Sequence, residues 1–562
     1  MRRFLLLVLI FAGAACGLAA VGFHLLVDWM RELLIGPALA QRGALRIALV
    51  LGVPAVVSAL IAVVIRRFAP AAGGANLARV RRAYELDPNI LDARSVAATL
   101  ALTPISLGAG APLGPEGPTV VVASGLAMAI ARWTRLPRRM IRGMIPVGTA
   151  AGIAAIFNTP ITGVVFAMEE VMGSASRGVL GGTIIAAVAA AVVERMLLGG
   201  KPLLSAPSAS WTDIRELVGF LVCGLIAGFV SGSSVLAIVR LRRALQRHLR
   251  LPVLRAAIGG LAIGGLGLLA PSILGVGYGT TSLFLHGGGT TQLAAIAFAA
   301  KVAGFLIAMA SGIIGGTFAP SLFIGAALGS TVGHLAMVAL PHAHVDLGAY
   351  ALVGMGAFFA GFLRCPVSAV LIVFEVTGDY GLILPLMLAV AASTSLSRAL
   401  APHSLTELQM VEEGYEERAS SDDPLAGLVV ADVMTRDVIA LPADLQLADA
   451  ARLIADSHHR LFPVIDASRQ VVGLLPRSSI DDGSSTPVSV FMQTPLALAR
   501  DDETVIDAIR RMASSGIDRC AVVDANGRLA GFLSPSDLLR ARMTRAAAPS
   551  DERDRDFDAL LG

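Results

Sequence analysis

Gly114-Pro115-Glu116-Gly117-Pro118 opens a short apolar run, and Gly316-Thr317-Phe318-Ala319-Pro320 opens another in the second half of the chain. Both have the form Gly-x-x-x-Pro followed by apolar residues. Proline suits the first turn of a helix, where its missing N–H would have no partner anyway. Glycine lets the backbone close around a ligand. The start of a helix presents N–H groups and the positive end of the helix dipole, and both attract an anion. One such motif alone reads as a loop packed between helices. Two, at matching places in the halves of a membrane protein, point to a binding site near the midplane.

The surrounding chain has the composition of a protein that lives in lipid. Of 562 residues, 55% are hydrophobic and 15% charged, and the mean hydropathy is +0.73. A soluble domain carries about 25% charged residues. The 59 glycines and 5% aromatics suit helices that pack closely in a bilayer. A net charge of +4 is far from the dense basic surface of a nucleic-acid binder. Cys16, Cys223, Cys365 and Cys520 have neither redox nor metal-ligand spacing. No nucleophile–base constellation, metal motif or phosphate-binding loop is present, so an enzyme is not expected.

Residues 1–410 form a series of apolar stretches broken by Gly, Pro and short charged loops. Val218 to Ile238 is long enough to span a bilayer, while Thr119 to Ile130 falls short of the roughly 20 residues required. Short apolar helices must be broken or re-entrant, and helix ends at membrane depth are tolerated where they line a cavity. The N-terminus has the look of a secretory signal. Its apolar run continues through Gly22 and Leu26, however, which favours a first membrane helix with Arg2 and Arg3 in the cytosol. Arg240, Arg242, Arg243, Arg247 and Arg250 read as a basic cytosolic loop, and Gly199 to Trp211 as an outer connection.

A linker at 411–427 precedes a soluble α/β unit with an internal repeat, copy 1 at 428–484 and copy 2 at 485–545. Met434, Val464, Asp466 and Gly473 recur as Met492, Val522, Asp524 and Gly531, each 58 residues on. A gapless offset of this kind marks a duplication. Residues 546–562 read as a charged, disordered tail.

Carboxylates inside a membrane are functional candidates by default. Glu116 sits within the first helix start, where its charge can occupy the site of an anion; protonation would free that site. Glu169 and Glu170 are adjacent, so on a helix they cannot face the same way. One is expected on a pathway and the other in a structural pair. Lys301 and Glu375 also lie in apolar runs, and either a pathway role or a buried or snorkelling role fits each.

Together these residues resemble the CLC family of chloride channels and chloride/proton antiporters, over essentially the whole chain. GPEGP is similar to the family's G(K/R)EGP motif and GTFAP to GxFxP. GTAAGIAAIFNTPITGVVFAMEEV and VLIVFEVTGDY are also family-like. The resemblance implies an all-α polytopic membrane domain with inverted repeats and re-entrant half-helices, multi-pass in the inner cell membrane with both termini cytosolic, and a homodimer with one pathway per subunit. It implies that Glu116 is the external gate and proton acceptor and that Glu170 transfers protons from the inside. It places the anion among Gly114, Gly117, Gly316, Thr317 and Phe318. Two departures stand out. The family's first anion motif, GSGIP, falls at Gly73 to Ala78, so its serine becomes Ala75 with Asn76 beside it. Its central tyrosine falls near Thr406. Pro115 also replaces the usual Lys or Arg. The resemblance favours proton-coupled chloride transport, with a passive voltage-gated-type chloride channel and a fluoride/proton antiporter as alternatives. A third, chiefly a nucleotide sensor that transports little, also remains open.

The C-terminal repeat resembles a tandem CBS pair. Such pairs often bind ATP, ADP or AMP, with an Asp holding the ribose; Ser534 and Asp537 match that pattern, whereas Pro476 and Ser479 occupy the equivalent places in the first copy. A nucleotide site and a ligand-free dimerisation module are both compatible with this. No cofactor is required by the chemistry.

Overall fold

The computed structural model describes residues 2–547 except 74–75, 86, 174–176, 200–203, 205, 208–210, 212, 340, 342–344, 379, 413–424, 426–427, 458, 481–484 and 496. It divides into two compact units, Met1–Tyr415 and Glu416–Arg553.

In the first unit, α1 (Arg2–Leu33), α2 (Ile35–Ala40) and α3 (Gly43–Phe68) lead to α4 (Asn76–Glu85) and α5 (Ala93–Gly108). The first Gly-x-x-x-Pro motif opens α6 (Glu116–Trp133), followed by α7 (Arg138–Phe157), α8 (Pro160–Phe166) and α9 (Arg177–Leu198). The second half runs through α10 (Glu216–His248), α11 (Pro252–Leu269), α12 (Tyr278–Leu285) and α13 (Thr291–Ser311). The second motif opens α14 (Phe318–Ala339), and α15 (Leu347–Leu363), α16 (Pro366–Thr377), α17 (Ile383–Leu400) and α18 (Leu405–Glu412) complete the unit. Among the described residues, nine helices are long and apolar enough to cross a membrane. Local signals set the helix starts. Asp92, Thr290 and Asp346 cap α5, α13 and α15 through side-chain oxygens, and proline opens α8, α11 and α16. Gly260 and Gly264 of α11 lie against the backbone of α3 at Pro54 and Val50, where a Cβ would overlap. That close approach is what small residues contribute to membrane packing.

The two halves are related as an inverted repeat, and the relation is sharpest just past the motifs. Asn158 and Arg364 both adopt left-handed backbone, at φ 55° and φ 66°, immediately before Thr159-Pro160 and Cys365-Pro366. Each turn then starts a short helix, α8 or α16. The Glu375 carboxylate at the end of α16 accepts from the N–H groups of Ile161 (2.9 Å) and Thr162 (2.7 Å) and from the Thr162 hydroxyl. Glu169, beyond the end of α8, does the same for Val367 (3.0 Å), Ser368 (2.8 Å) and the Ser368 hydroxyl. Each helix therefore caps the start of the other with a full negative charge, where the dipole most favours one. Glu375 is thus a structural cap rather than a pathway group.

The basic stretch departs from the expected loop. Arg240, Arg242, Arg243 and Arg247 belong to the last turns of α10, and only Arg250 lies in the connection to α11. Nothing in 240–248 breaks a helix, and cations suit its C-terminal end. Most of 199–211 and nearly all of the 411–427 linker lie outside the described residues, as does the tail from residue 548. Residues 546 and 547 are the last of a helix, so the expected tail starts two residues early.

The second unit holds two three-stranded sheets of the same design. In one, β1 (Leu441–Pro442) runs parallel to β2 (Leu461–Ile465), which pairs antiparallel with β3 (Val471–Pro476). In the other, β4 (Ala499–Arg500), β5 (Cys520–Val523) and β6 (Leu529–Leu533) repeat the order. Both carry a register shift at equivalent positions, Val464/Ile465 and Val522/Val523. The copies interlock. Thr435, leading copy 1, bridges to Phe532 of copy 2, and Gln493, leading copy 2, bridges to Leu474 of copy 1. Met434 accordingly packs on Gly531 and Met492 on Gly473, which explains why these four residues recur together. The turn after each β2-type strand is closed by an aspartate. Hydrogen bonds from Ser468 and Gln470 hold the Asp466 carboxyl below its ordinary range, and the N–H groups of Arg528 and Asn526 do so for Asp524.

Candidate functional site

The two motifs meet. Gly114 and Gly316 exchange backbone hydrogen bonds, 2.8 Å from the Gly114 N–H to the Gly316 carbonyl and 2.6 Å in return. The Ser106 hydroxyl fixes the approach by donating to the Ile314 carbonyl (2.9 Å). The starts of α6 and α14 are thereby brought together from opposite halves, as the paired motifs predict.

Beside this junction, with Gly316 in its wall, lies a cavity of about 30 Å³. That suits a water or a small ion. Its walls include Asn76, Gly117, Gly316, Thr317, Thr406 and Gln409, with Leu77, Met309, Gly315, Phe362, Leu363 and Leu405 completing them. Of the residues expected at the anion, Gly117, Gly316, Thr317, Asn76 and Thr406 line this space. Gly114 stands behind it in the backbone pairing. Phe318 is buried and packs its ring against Phe157, Phe166 and Phe359, at 5.1, 5.5 and 4.5 Å between centroids. Ala75 lies outside the described residues. The Asn76 amide donates to the Gly315 carbonyl at 3.2 Å, so one of its two N–H bonds holds the wall.

Two buried carboxylates adjoin residues of the cavity wall, Glu116 next to Gly117 and Glu170 bonded to Thr406. Glu116 has no exposed surface. Its carboxylate accepts from the Tyr278 hydroxyl (2.6 Å) and from the Ala319 N–H (3.2 Å) in the first turn of α14. The side chain thus occupies a helix start as an anion would. Tyr278 is a partner that the sequence analysis did not find. It opens α12 after the left-handed Gly277, 162 positions from Glu116, and nothing local marks it. Its loop is held in turn by Lys301, whose ammonium donates to the carbonyls of Ile273 (3.1 Å), Gly275 (2.8 Å) and Val276 (3.1 Å) and lies 4.8 Å from the Phe323 ring centre. Lys301 is a scaffold for the segment that presents Tyr278 to Glu116.

Glu170 belongs to a π-helical turn, Ala167–Met172, that continues α8. This wider winding often accompanies a functional site. Here it turns the two adjacent glutamates apart: Glu169 caps α16, while Glu170 points inward with 4% exposure. The Thr406 hydroxyl donates to Glu170 at 2.7 Å, and the Cys365 thiol lies 3.5 Å away.

In the soluble unit, Ser534 and Asp537 lie at the start of the last helix, α19 (Pro535–Ala547). Asp537 is 3% exposed. It accepts from the Thr435 hydroxyl (2.8 Å), the Ser534 N–H and hydroxyl (3.0 and 2.6 Å) and Arg540 (2.6 Å). Its oxygens are engaged in capping α19 and tying the two copies together. A ribose would have to displace one of these partners. Among the described residues, no cluster of three His, Cys, Asp or Glu is arranged to hold a metal.

A family model described as voltage gated chloride channel matches residues 57–398, and CBS domain models match 430–482 and 488–544. The chain belongs to the voltage-gated chloride channel family, the CLC family. A putative chloride channel protein, ClcB-like, of Ralstonia nicotianae is 35% identical over 55% of this chain and 72% of its own length. The H(+)/Cl(-) exchange transporter ClcA of Citrobacter koseri is 30% identical over 74% and 90%. Among solved structures, a slow cyanobacterial Cl-/H+ antiporter matches with TM-score 0.68 at 24% identity, over 74% of this chain and 99% of that one. A eukaryotic CLC transporter matches with TM-score 0.67 at 20% identity, over 95% and 97%. The CLC architecture accounts for the paired helix starts, and within it this chain has threonine and glutamine on α18 facing the cavity.

Proposed function

We propose that this CLC protein exchanges chloride for protons across the inner cell membrane, as a homodimer with one pathway per subunit and both termini in the cytosol. The observation that carries the reading is the disposition of two buried carboxylates about an ion-sized cavity. Glu116 is the external gate and proton acceptor. Ionised, it holds the Ala319 N–H and the Tyr278 hydroxyl; protonated, it loses its hold on the α14 start, and an anion takes the helix end. Glu170 passes protons from the inner side. The anion rests among Gly117, Gly316, Thr317 and Thr406, bound by dipoles rather than by a full positive charge, so that it can leave again. The proposal is supported by a relative named as an exchange transporter that aligns over 90% of its length. Exchange requires no cofactor and no enzymatic step.

The test uses purified full-length protein in sealed liposomes. A chloride gradient is expected to drive protons uphill, read as a pH change outside. Anion flow without proton movement would make the protein a passive channel, and coupling to fluoride alone would reassign the ion.

We also propose that the CBS pair takes an adenine nucleotide between its copies, with Asp537 turning from Thr435 to the ribose. Calorimetric titration of the full chain with ATP, ADP and AMP is expected to give saturable binding that Asp537→Ala weakens. Heat-silent titrations with all three would leave the pair a dimerisation module. Occupancy alters transport only to the extent that the nucleotide prefers one transport state.

A further inference from the structure

We infer that α18 supplies two anion donors of its own: Gln409, permanently, and Thr406, only when Glu170 carries a proton. The inference rests on the exchange reading above and says how the two cargoes are linked.

Thr406 and Gln409 are three residues apart on α18, so they share a helix face, and both line the 30 Å³ cavity. Gln409 is 5% exposed, and its Nε2 has no hydrogen-bond partner among the described residues. A side-chain amide donor buried without a partner is costly. Of the cavity's other walls, Leu77, Met309, Phe362, Leu363 and Leu405 offer no side-chain acceptor, and the side-chain oxygens of Asn76, Thr317 and Thr406 that do line it make no hydrogen bond to this Nε2. An anion in the cavity satisfies that donor, and in an apolar surrounding the bond is strong because the acceptor is charged. Gln409 thus supplies a side-chain donor beside Thr406, where Ala75 stands in place of the serine and Thr406 in place of the tyrosine expected of the family.

Thr406 carries one hydroxyl proton, and in this structure that proton is committed to Glu170 Oε1 at 2.7 Å. An ionised carboxylate only accepts. Thr406 therefore turns its oxygen lone pairs, not its proton, toward the rest of its surroundings, and lone pairs repel an anion. When Glu170 takes up a proton, its own O–H donates to Thr406 Oγ1. The bond between the two residues persists with its direction reversed, and the Thr406 O–H is free to point into the cavity. One proton is gained at Glu170, none is transferred to the threonine, and no heavy atom moves far. Proton uptake from the inside and anion binding thereby favour each other, and linkage makes the effect reciprocal. The other charged or titratable groups about Glu170 are Arg81 on α4, Glu407 beside Thr406, the adjacent Glu169 and Cys365 before α16. Glu169 is occupied by its three bonds to α16, and Arg81 by its pairing with Glu85 at 2.8 Å.

The experiment is chloride titration of the purified full-length protein by calorimetry at several pH values, with proton-coupled flux of each variant in liposomes. Gln409→Leu is expected to weaken chloride binding about tenfold or more, as loss of a hydrogen bond to a charged group would. Gln409→Glu, of equal size, is expected to abolish binding at neutral pH while thermal unfolding stays near that of the native protein. Chloride affinity of the native protein is expected to rise as pH falls. In a Glu116→Gln background, where the gate no longer titrates, Thr406→Val is expected to flatten that rise and Thr406→Ser to restore it; with Glu116 present, Thr406→Val is expected to lower the number of protons moved per chloride. Native chloride affinity in Gln409→Leu, or a pH response undiminished by Thr406→Val in the Glu116→Gln background, would overturn the inference. Absence of proton-coupled flux in the unmutated protein would instead overturn the exchange reading, so the two failures are told apart.

Discussion

In Glu116→Gln, uphill proton movement is expected to vanish while chloride continues to cross. The replacement keeps the shape of a side chain with no exposed surface but removes the only proton it can carry. It also removes the charge that competes with an anion for the α14 start. The amide can still accept from Tyr278 through its oxygen, so the pocket is expected to remain folded. Its NH2 group, however, meets the Ala319 N–H as donor against donor, where the carboxylate accepts at 3.2 Å. The side chain should therefore vacate the helix end and leave it open to the ion. A positioned acid–base group accounts for about 10²–10⁴-fold in proton-transfer rate, so proton flux should fall to the level of the liposome leak. Simultaneous chloride- and pH-electrode recordings check this. Proton pumping that survives the substitution would mean that the proton route bypasses Glu116.

Gly316→Ala is expected to be as damaging, for a purely geometric reason. A Cβ at this position would lie 2.8 Å from the Gly117 nitrogen, 2.9 Å from the Gly114 carbonyl oxygen and 3.1 Å from Pro118 Cδ. Two of these neighbours are backbone, so no rotamer change relieves the contact. The paired hydrogen bonds between Gly114 and Gly316 would have to open, and the two helix starts would separate. Overpacking of this kind costs about 1–3 kcal/mol, and the site is lost with it. A lowered unfolding temperature in detergent together with absent chloride flux would agree. Native flux in the variant would show that the junction yields more easily than its geometry implies.

Much of this was legible in the sequence because it is local or repeated. The Gly-x-x-x-Pro starts, the carboxylate within one of them and the 58-residue offset of the soluble copies each need only a few neighbouring residues to be recognised. That Glu169 and Glu170 face different ways followed from helix geometry, whereas the choice of Glu170 for the inner side came with the family resemblance and the π-helical turn between them had no sequence signal. Long-range partnership was not legible. Tyr278 reaches Glu116, Lys301 reaches three carbonyls before α12, and Glu375 caps α8, across separations from 25 to 214 residues. No periodicity encodes such meetings. The basic stretch at 240–247 was misjudged as a loop because charge was weighed above helix continuity. Gln409 went unnoticed because a glutamine near the end of an apolar run looks like a surface residue until its burial is known.

The reciprocal caps of α8 and α16 also bear on which ions stay in transit. The starts of α6 and α14 share the Gly-x-x-x-Pro form, and those of α8 and α16 each open on a proline after a left-handed residue. A mobile ion does not distinguish among them by dipole. Glu169 and Glu375 fill two permanently, each with two N–H bonds and a hydroxyl, while α14 is occupied only by the reversible Glu116. The fixed carboxylates act as blind plugs. They close the α8 and α16 starts to any other anion, which the start of α14 is spared.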